Sequence, residues 1–453
     1  MIPPTVPPPR QFDLPALRSE AASLDTSDPA MFRDRFEFPP GRASSEFPQR
    51  AYFAGNSLGL LPRATRGVID EVMSSWSARA VEGHFTGEHP WTGLTETLSA
   101  PMARVVGALP RETIVTNTLT VNVHLLLLAF YRPSGSRTIL LTEHGPFPSD
   151  GYAAASHARI HGLDPRQHIV KLSPQAGENL LRTEDIVATI ERLGATLSCV
   201  LLPGVAFRTG QLLDIPTITA AAHSVGAMVV WDMAHAAGNV PLQLHDWNVD
   251  GAAWCTYKYM NSGPGAAGAM FVHERHVDRV DLIRLDGWWG NAAETRFAMT
   301  EEIDRGEGAF GWQISNPPIL AVAPISASLA IFDEAGGMAV LRQRSLRLTA
   351  FLERALTAVG LQHELEIITS ANPAERGAQL SVLVHDAKIV TDQLIEHHDV
   401  LPDERPPNLV RFAPIPLYSS YEDCWRAAAA LAAVLSGGRS AGSTISNRSS
   451  GPR

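Results

Sequence analysis

The chain has 453 residues, 45% hydrophobic and 19% charged, with a formal net charge of −10. That length suits one large domain with a smaller companion, or two or three ordinary ones; the acidic balance, with no basic stripe and no zinc-finger spacing, excludes a general nucleic-acid surface. No metal is expected. The longest apolar stretches are too short to span a bilayer, the proline-rich start lacks the apolar core of a secretory signal, and Cys199, Cys255 and Cys424 read as buried reduced thiols of a cytoplasmic protein.

After the proline-rich start, 14–24 reads as a short helix and 28–38 as a charged connector. A strand and turn follow in A-Y-F-A-G-N-S-L-G-L-L-P (51–62), where Asn56 is either turn chemistry or a group that approaches a substrate. Helical spacing returns over 64–80. The loop G-H-F-T-G-E-H-P-W (83–91) holds two histidines and a tryptophan, and a loop histidine such as His84 is more often decoration than chemistry. In T-N-T-L-T-V-N-V-H-L-L-L-L-A-F (116–130) polar residues precede an apolar helix. They serve as an ordinary N-cap, as an anion site using the free N–H groups of the first turn, or as both.

A buried strand at 138–142 leads to H-G-P-F-P-S-D (144–150), whose Phe147 either stacks on a flat ring or packs as an ordinary core residue. Helix 151–162, strand 169–172, helix 183–193, strand 198–202 and a helix over 215–225 then alternate with short loops. This is the signature of a parallel sheet covered on both faces.

The stretch 228–268 organises the rest. Its apolar strand 228–231 ends on Asp232, at the edge where open α/β sheets bind ligands, and a second run, 252–255, leads into Tyr257-Lys258 and a glycine-rich loop. A lone strand-end acid is usually a cap and a lone lysine is usually solvated. Together they suit pyridoxal phosphate, which needs an amine for its Schiff base and an anion at its ring nitrogen.

Beyond a strand at 269–273, L-D-G-W-W-G-N (285–291) and G-W-Q-I-S-N-P-P (311–318) place tryptophans among glycines. That is poor core packing and suggests an aromatic-lined pocket for a flat substrate. A helical run from about 321 and an amphipathic helix at 341–359 lead to a smaller α+β domain: strands 364–369 and 379–385, helix 392–398, strand 409–413 and helix 421–435. Within it Arg411, flanked by apolar residues, needs a partner, either a substrate carboxylate or a buried structural salt bridge. The Ser/Gly-rich segment 437–453 reads as disordered.

With these residues in hand, the sequence resembles kynureninase over roughly 28–435, through the set G-N-S-L-G, L-T-V-N-V-H, F-P-S-D, D-M-A-H-A, Y-K-Y-M-N-S-G, G-W-W-G, I-S-N-P-P and R-F-A-P-I-P-L-Y. The resemblance implies fold type I of the pyridoxal-phosphate enzymes: a large domain (51–325) built on a mainly parallel seven-stranded sheet, an N-terminal arm (1–50), a small C-terminal domain (326–436) and a tail (437–453). It makes Lys258 the Schiff-base lysine, Asp232 the partner of the ring nitrogen and Tyr257 a phosphate contact that also transfers a proton. Leu119 and Thr120 serve the phosphate, Phe147 stacks on the ring, and Ser149, Asp150 and His235 line the cofactor. Arg411 takes the substrate carboxylate, with Asn56 near it. Trp288 and Asn316 reach the site of the second subunit of a homodimer, and His84, Ser315 and Asn316 match the members that prefer 3-hydroxykynurenine. The implied reaction is hydrolysis of kynurenine or 3-hydroxykynurenine to the anthranilate and L-alanine, in tryptophan catabolism toward NAD or, on a ring-methylated substrate, in specialised metabolism. Desulfuration, the rival reaction, wants a cysteine on a mobile loop. Two positions depart from the family pattern: Pro203, where a hydroxyl residue is common, and Asn291, where a histidine is.

Overall fold

The computed structural model describes residues 13–361 and 363–442. The apolar runs become strands β2 (Ile139–Glu143), β3 (Ile169–Leu172), β4 (Leu197–Pro203), β5 (Met228–Asp232), β6 (Gly251–Cys255) and β7 (Gly268–Val272), and with the short β1 (Thr113–Val115) they join in one sheet of order β1-β7-β6-β5-β4-β2-β3. Neighbours are parallel except where β7 runs against β6 and β1. Alternate side chains feed two cores: Val200, Val229 and Trp231 point into one, Leu201, Val230 and Ala253 into the other. A sheet covered on both faces explains why these strands are continuously apolar rather than alternating. Helices α1 (Leu119–Phe130), α2 (Pro148–Ile160), α3 (Thr183–Leu193) and α4 (Ile215–Ser224) form the crossovers.

The smaller C-terminal domain carries α5 (Met338–Ala358), β8 (Leu365–Ile367), β9 (Leu380–Val384), α6 (Ala387–His398), β10 (Asp403–Arg405), β11 (Leu409–Phe412) and α7 (Tyr421–Gly442), its antiparallel sheet ordered β8-β9-β11-β10. Its core also takes Leu17, Ala21, Ala51 and Phe53 from the start of the chain, where Ala51–Tyr52 pairs in parallel with Val400–Leu401.

Three local expectations change. Helix α6 begins at Ala387 rather than 392, because Asp386 accepts from the Ile389 N–H and caps it. Helix α7 continues through 437–442, and residues 443–453 of the expected tail lie outside the described residues. The paired tryptophans do not both line a pocket: Trp289 is 1% exposed, with the Arg296 guanidinium 4.4 Å from its ring, and Trp288 alone reaches the surface.

Strands β2, β4, β5 and β6 all end on one edge of the large sheet, and the small domain closes over that edge. It grips the loop after β4 through Arg411 Nη1 to the Phe207 carbonyl (2.6 Å), Gln379 Nε2 to the same carbonyl (3.0 Å), Thr369 Oγ1 to Thr209 O (2.6 Å) and Ser381 Oγ to Arg208 O (2.8 Å). No single helix among the described residues is long and apolar enough to cross a membrane.

Candidate active site

At the closed edge Asp232 ends β5 and Lys258 stands three residues beyond β6, its next neighbour in the sheet. Both are buried. Lys258 Nζ lies 3.0 Å from His235 Nε2 and 5.6 Å from the centre of the Phe147 ring, which packs edge-on against Phe207 at 5.5 Å. Asp232 Oδ1 accepts from the Ala234 N–H (2.7 Å), and its carboxylate also faces Asp150 from the first turn of α2. The chain has three lysines, Lys171, Lys258 and Lys388, and the other two are exposed, so Lys258 is the one amine held in a dry site.

The electrostatics follow from burial. Desolvation, followed by the charge of and a hydrogen bond to Asp232, drives Asp150 well above the ordinary carboxylate range, so Asp150 keeps its proton and donates it toward Asp232. Glu143, closing β2, is pushed up to about 8 by burial and then by Asp232. His235 is driven well below its ordinary value by burial, then by Lys258, Arg411 and Arg405, so its ring stays neutral and its Nδ1 has no partner. Tyr257 is raised by burial and by its hydrogen-bonded neighbour Cys255, which keeps the phenol protonated.

The N-terminus of α1 points the same way. Thr118 occupies the cap position but makes no side-chain cap bond, and Asn122 bonds the Asn117 side chain (3.0 Å) and the Thr116 carbonyl (2.9 Å) instead, tying the turn rather than the helix end. Thr118 therefore does not take up the first-turn N–H groups, those of Leu119 and Thr120 among them, and leaves them open to an anion. Gly268 lies so close that a Cβ there would sit 3.2 Å from Leu119 N. A buried amine, a proton-sharing acid pair, an adjacent aromatic ring and an uncapped helix N-terminus fit the aldehyde, ring nitrogen, ring face and phosphate of pyridoxal phosphate. Ser149 is half-buried in the first turn of α2.

Arg411 is wholly buried on β11 and ion-paired with Asp403 on β10, so within this chain its charged partner is the Asp403 carboxylate. Asn56 is buried and donates to Gln379 Oε1 (2.7 Å), which ties it to the Phe207 loop one step from Arg411. Pro203 lies beside Asp232 in register, and the next residue, Gly204, donates to the Asp232 carbonyl at 2.8 Å.

A second group gathers on the surface. His84 packs edge-on to Trp91 (5.1 Å) and touches Phe85; Phe85 meets Phe297 (5.2 Å), and Phe297 meets Trp288 (5.5 Å). Ser315 and Asn316 are exposed, just past Ile314, whose carbonyl accepts from the Trp289 N–H at 3.1 Å. Asn291 donates to the Trp288 carbonyl (2.9 Å) and accepts from the Asp304 N–H (2.9 Å), so it braces this loop.

Sequence reasoning missed Glu143, Tyr259, Asp403 and Arg405. Glu143 carries the signal that marked Asp232, an acid closing an apolar strand; Tyr259, whose buried hydroxyl has no partner, follows Lys258 by one residue. The D-E-R segment of β10 carries no apolar pattern to mark it.

Comparison with known proteins agrees with this geometry. Residues 341–431 match the family model of the kynureninase C-terminal domain. The chain is 50% identical to a kynureninase of Salinispora tropica over 94% of its length and 99% of that relative, and 48% identical to one of Flavobacterium johnsoniae over 90% and 96%. Among solved structures it is similar to a cysteine desulfurase of Escherichia coli (TM-score 0.72, 16% identity, 90% of this chain and 98% of that one) and to one of Thermococcus onnurineus (TM-score 0.70, 17%, 86% and 95%), a likeness of fold alone.

Proposed function

The chain belongs to the kynureninase family, and from that premise we propose how its own residues carry the reaction. It is a pyridoxal-phosphate hydrolase that cleaves the Cβ–Cγ bond of L-kynurenine to anthranilate and L-alanine. Desulfuration is not favoured: all three cysteines are buried, and none stands on an exposed loop at the site.

When bound, pyridoxal phosphate supplies a sink for the electrons of the bonds broken at the substrate. Lys258 is the attachment amine and moves the proton at the substrate Cα. Asp232, supported by the protonated Asp150, holds the ring nitrogen, and the uncapped turn at Leu119–Thr120 with Tyr257 holds the phosphate. Phe147 and His235 bound the ring. Arg411 orients the α-carboxylate; water adds at the substrate's Cγ carbonyl, the Cβ–Cγ bond breaks as the acyl part leaves as the anthranilate carboxylate, and Tyr257, kept protonated, delivers the proton to Cβ. The half-buried His84 and the exposed Ser315, Asn316 and Trp288 complete the pocket of a second copy in a cytoplasmic homodimer, with His84 and Asn316 bonding the ring hydroxyl of 3-hydroxykynurenine. The observation that carries this reading is the buried amine of Lys258 beside the Asp232–Asp150 pair.

Incubating the purified holoenzyme with kynurenine should release anthranilate and alanine in equal amounts. Lys258→Ala should fold and lose this turnover; wild-type rates in that variant would remove Lys258 from its role.

A further inference from the structure

Arg411 already holds a carboxylate in this chain. Its Nη1 is committed to the Phe207 carbonyl at 2.6 Å, its Nη2 pairs with Asp403, and its Nε is buried with no partner. A carboxylate bound bidentately takes two parallel N–H groups from one edge of the guanidinium. Nε and Nη2 form one such edge, and the Asp403 carboxylate is ion-paired at Nη2. Strand register makes this a built arrangement: Asp403 lies directly opposite Arg411 across the β10–β11 pair, and Arg405, two residues on and so on the same face, lies opposite Leu409. Arg405 Nη2 is 3.3 Å from the same Asp403 oxygen. One carboxylate is thus shared between two guanidiniums, one wholly buried and one 35% exposed. Around them Tyr259 Oη, Arg405 Nε and His235 Nδ1 are also buried without partners.

We propose that Asp403 is a positioning residue that stands in for the substrate carboxylate on Arg411 in the free enzyme and is taken over by Arg405 when that carboxylate arrives. The inference rests on the reading of Arg411 as the carboxylate anchor. A guanidinium as buried as Arg411 is strongly destabilising without a counter-charge, so the free enzyme needs Asp403. Substrate binding is then an exchange of one carboxylate for another, and an exchange costs little only if the displaced one keeps a charged partner. Arg405 is that partner.

The test is a spectral titration of the holoenzyme with L-alanine, which carries the α-carboxylate, and with L-alaninamide, which lacks it. Asp403→Asn should bind L-alanine about tenfold more tightly, the worth of one charge-assisted hydrogen bond, bind alaninamide as the wild type does, and melt at a lower temperature. Arg405→Gln, which strands Asp403 on Arg411, should bind L-alanine about tenfold more weakly, and the double variant should return to the affinity of Asp403→Asn. A merely structural Asp403 would give the opposite sign in the first variant, so weakened or unchanged alanine binding there overturns the proposal, as does unchanged binding in Arg405→Gln. If Asp403→Asn does not fold, the Arg405→Gln titration decides alone. Arg411→Gln separates the underlying reading: it should lose the preference for alanine over alaninamide, and retention of that preference would overturn the anchor itself.

Discussion

Glu143 shows how one side chain at the end of a buried strand sets the tolerance of its neighbours. Its pKa is raised, so the folded protein binds its proton more tightly than the unfolded chain does. Its contribution is fully present below the ordinary carboxylate value of about 4.5 and is lost as pH climbs to about 8. Glu143→Gln should flatten that dependence: melting curves from pH 5 to pH 8 should show wild type losing stability relative to the variant, and parallel curves would contradict the placement of this group. The role proposed for Asn316 is selectivity instead. A site built to bond a hydroxyl rejects the analogue lacking it because its own polar groups are left unpaired. Replacing Asn316 by Thr should therefore shift the ratio of kcat/KM for 3-hydroxykynurenine over kynurenine toward kynurenine by roughly tenfold or more. An unchanged ratio removes Asn316 from substrate recognition.

At the scale of elements, the α1 N-terminus and the opposite edge of the sheet make separate demands. Gly268→Ala would press a methyl group 3.0 Å from the Trp254 carbonyl oxygen and 3.2 Å from Leu119 N and the Thr118 carbonyl carbon, at the turn proposed to hold the phosphate. Cofactor affinity should fall by about tenfold, measured by equilibrium dialysis against pyridoxal phosphate. At the far edge, buried Asp250 accepts from His223 (2.8 Å), His276 (2.8 Å), Arg275 (2.6 Å) and the Val229 N–H (2.7 Å), and so joins β5, β6 and the short helix after β7. Despite burial, these bonds hold its carboxyl far below the ordinary range. The stability it contributes is present above about pH 4 and lost as pH falls through the depressed value. Asp250→Asn should cost about 3 kcal/mol in neutral solution and lose part of the acid slope; an undiminished slope would assign acid unfolding elsewhere. Apolar runs revealed strands β2 to β7 of the large sheet, and strand ends revealed Asp232; β1, only T-I-V, is too short to show such a run. Strand β10 escaped because D-E-R is polar at all three positions: its pairing comes from β11, and its side chains answer charges in a pocket rather than a core.

Across the whole molecule, the inner site holds Lys258, Asp232, Asp150 and Arg411, and the surface holds His84, Trp288, Ser315 and Asn316. Motif likeness alone linked the two groups, because no periodicity within one chain encodes a contact with another copy. The patch of Phe85, Trp288 and Phe297, between 43% and 52% exposed, is the face such a copy would cover. Mixing inactive Lys258→Ala with an inactive Trp288→Ala/Asn316→Ala double variant should restore turnover through mixed dimers that carry one intact site; mixtures as dead as their parents would contradict a shared pocket. The claim on which the rest depends is that the single buried lysine of three carries the cofactor. Borohydride reduction of the holoprotein followed by mass spectrometry of the intact chain and its peptides tests it directly. One reduced cofactor per chain on the peptide containing Lys258 is the expected result, and an unmodified chain, or an adduct on Lys171 or Lys388, would contradict it.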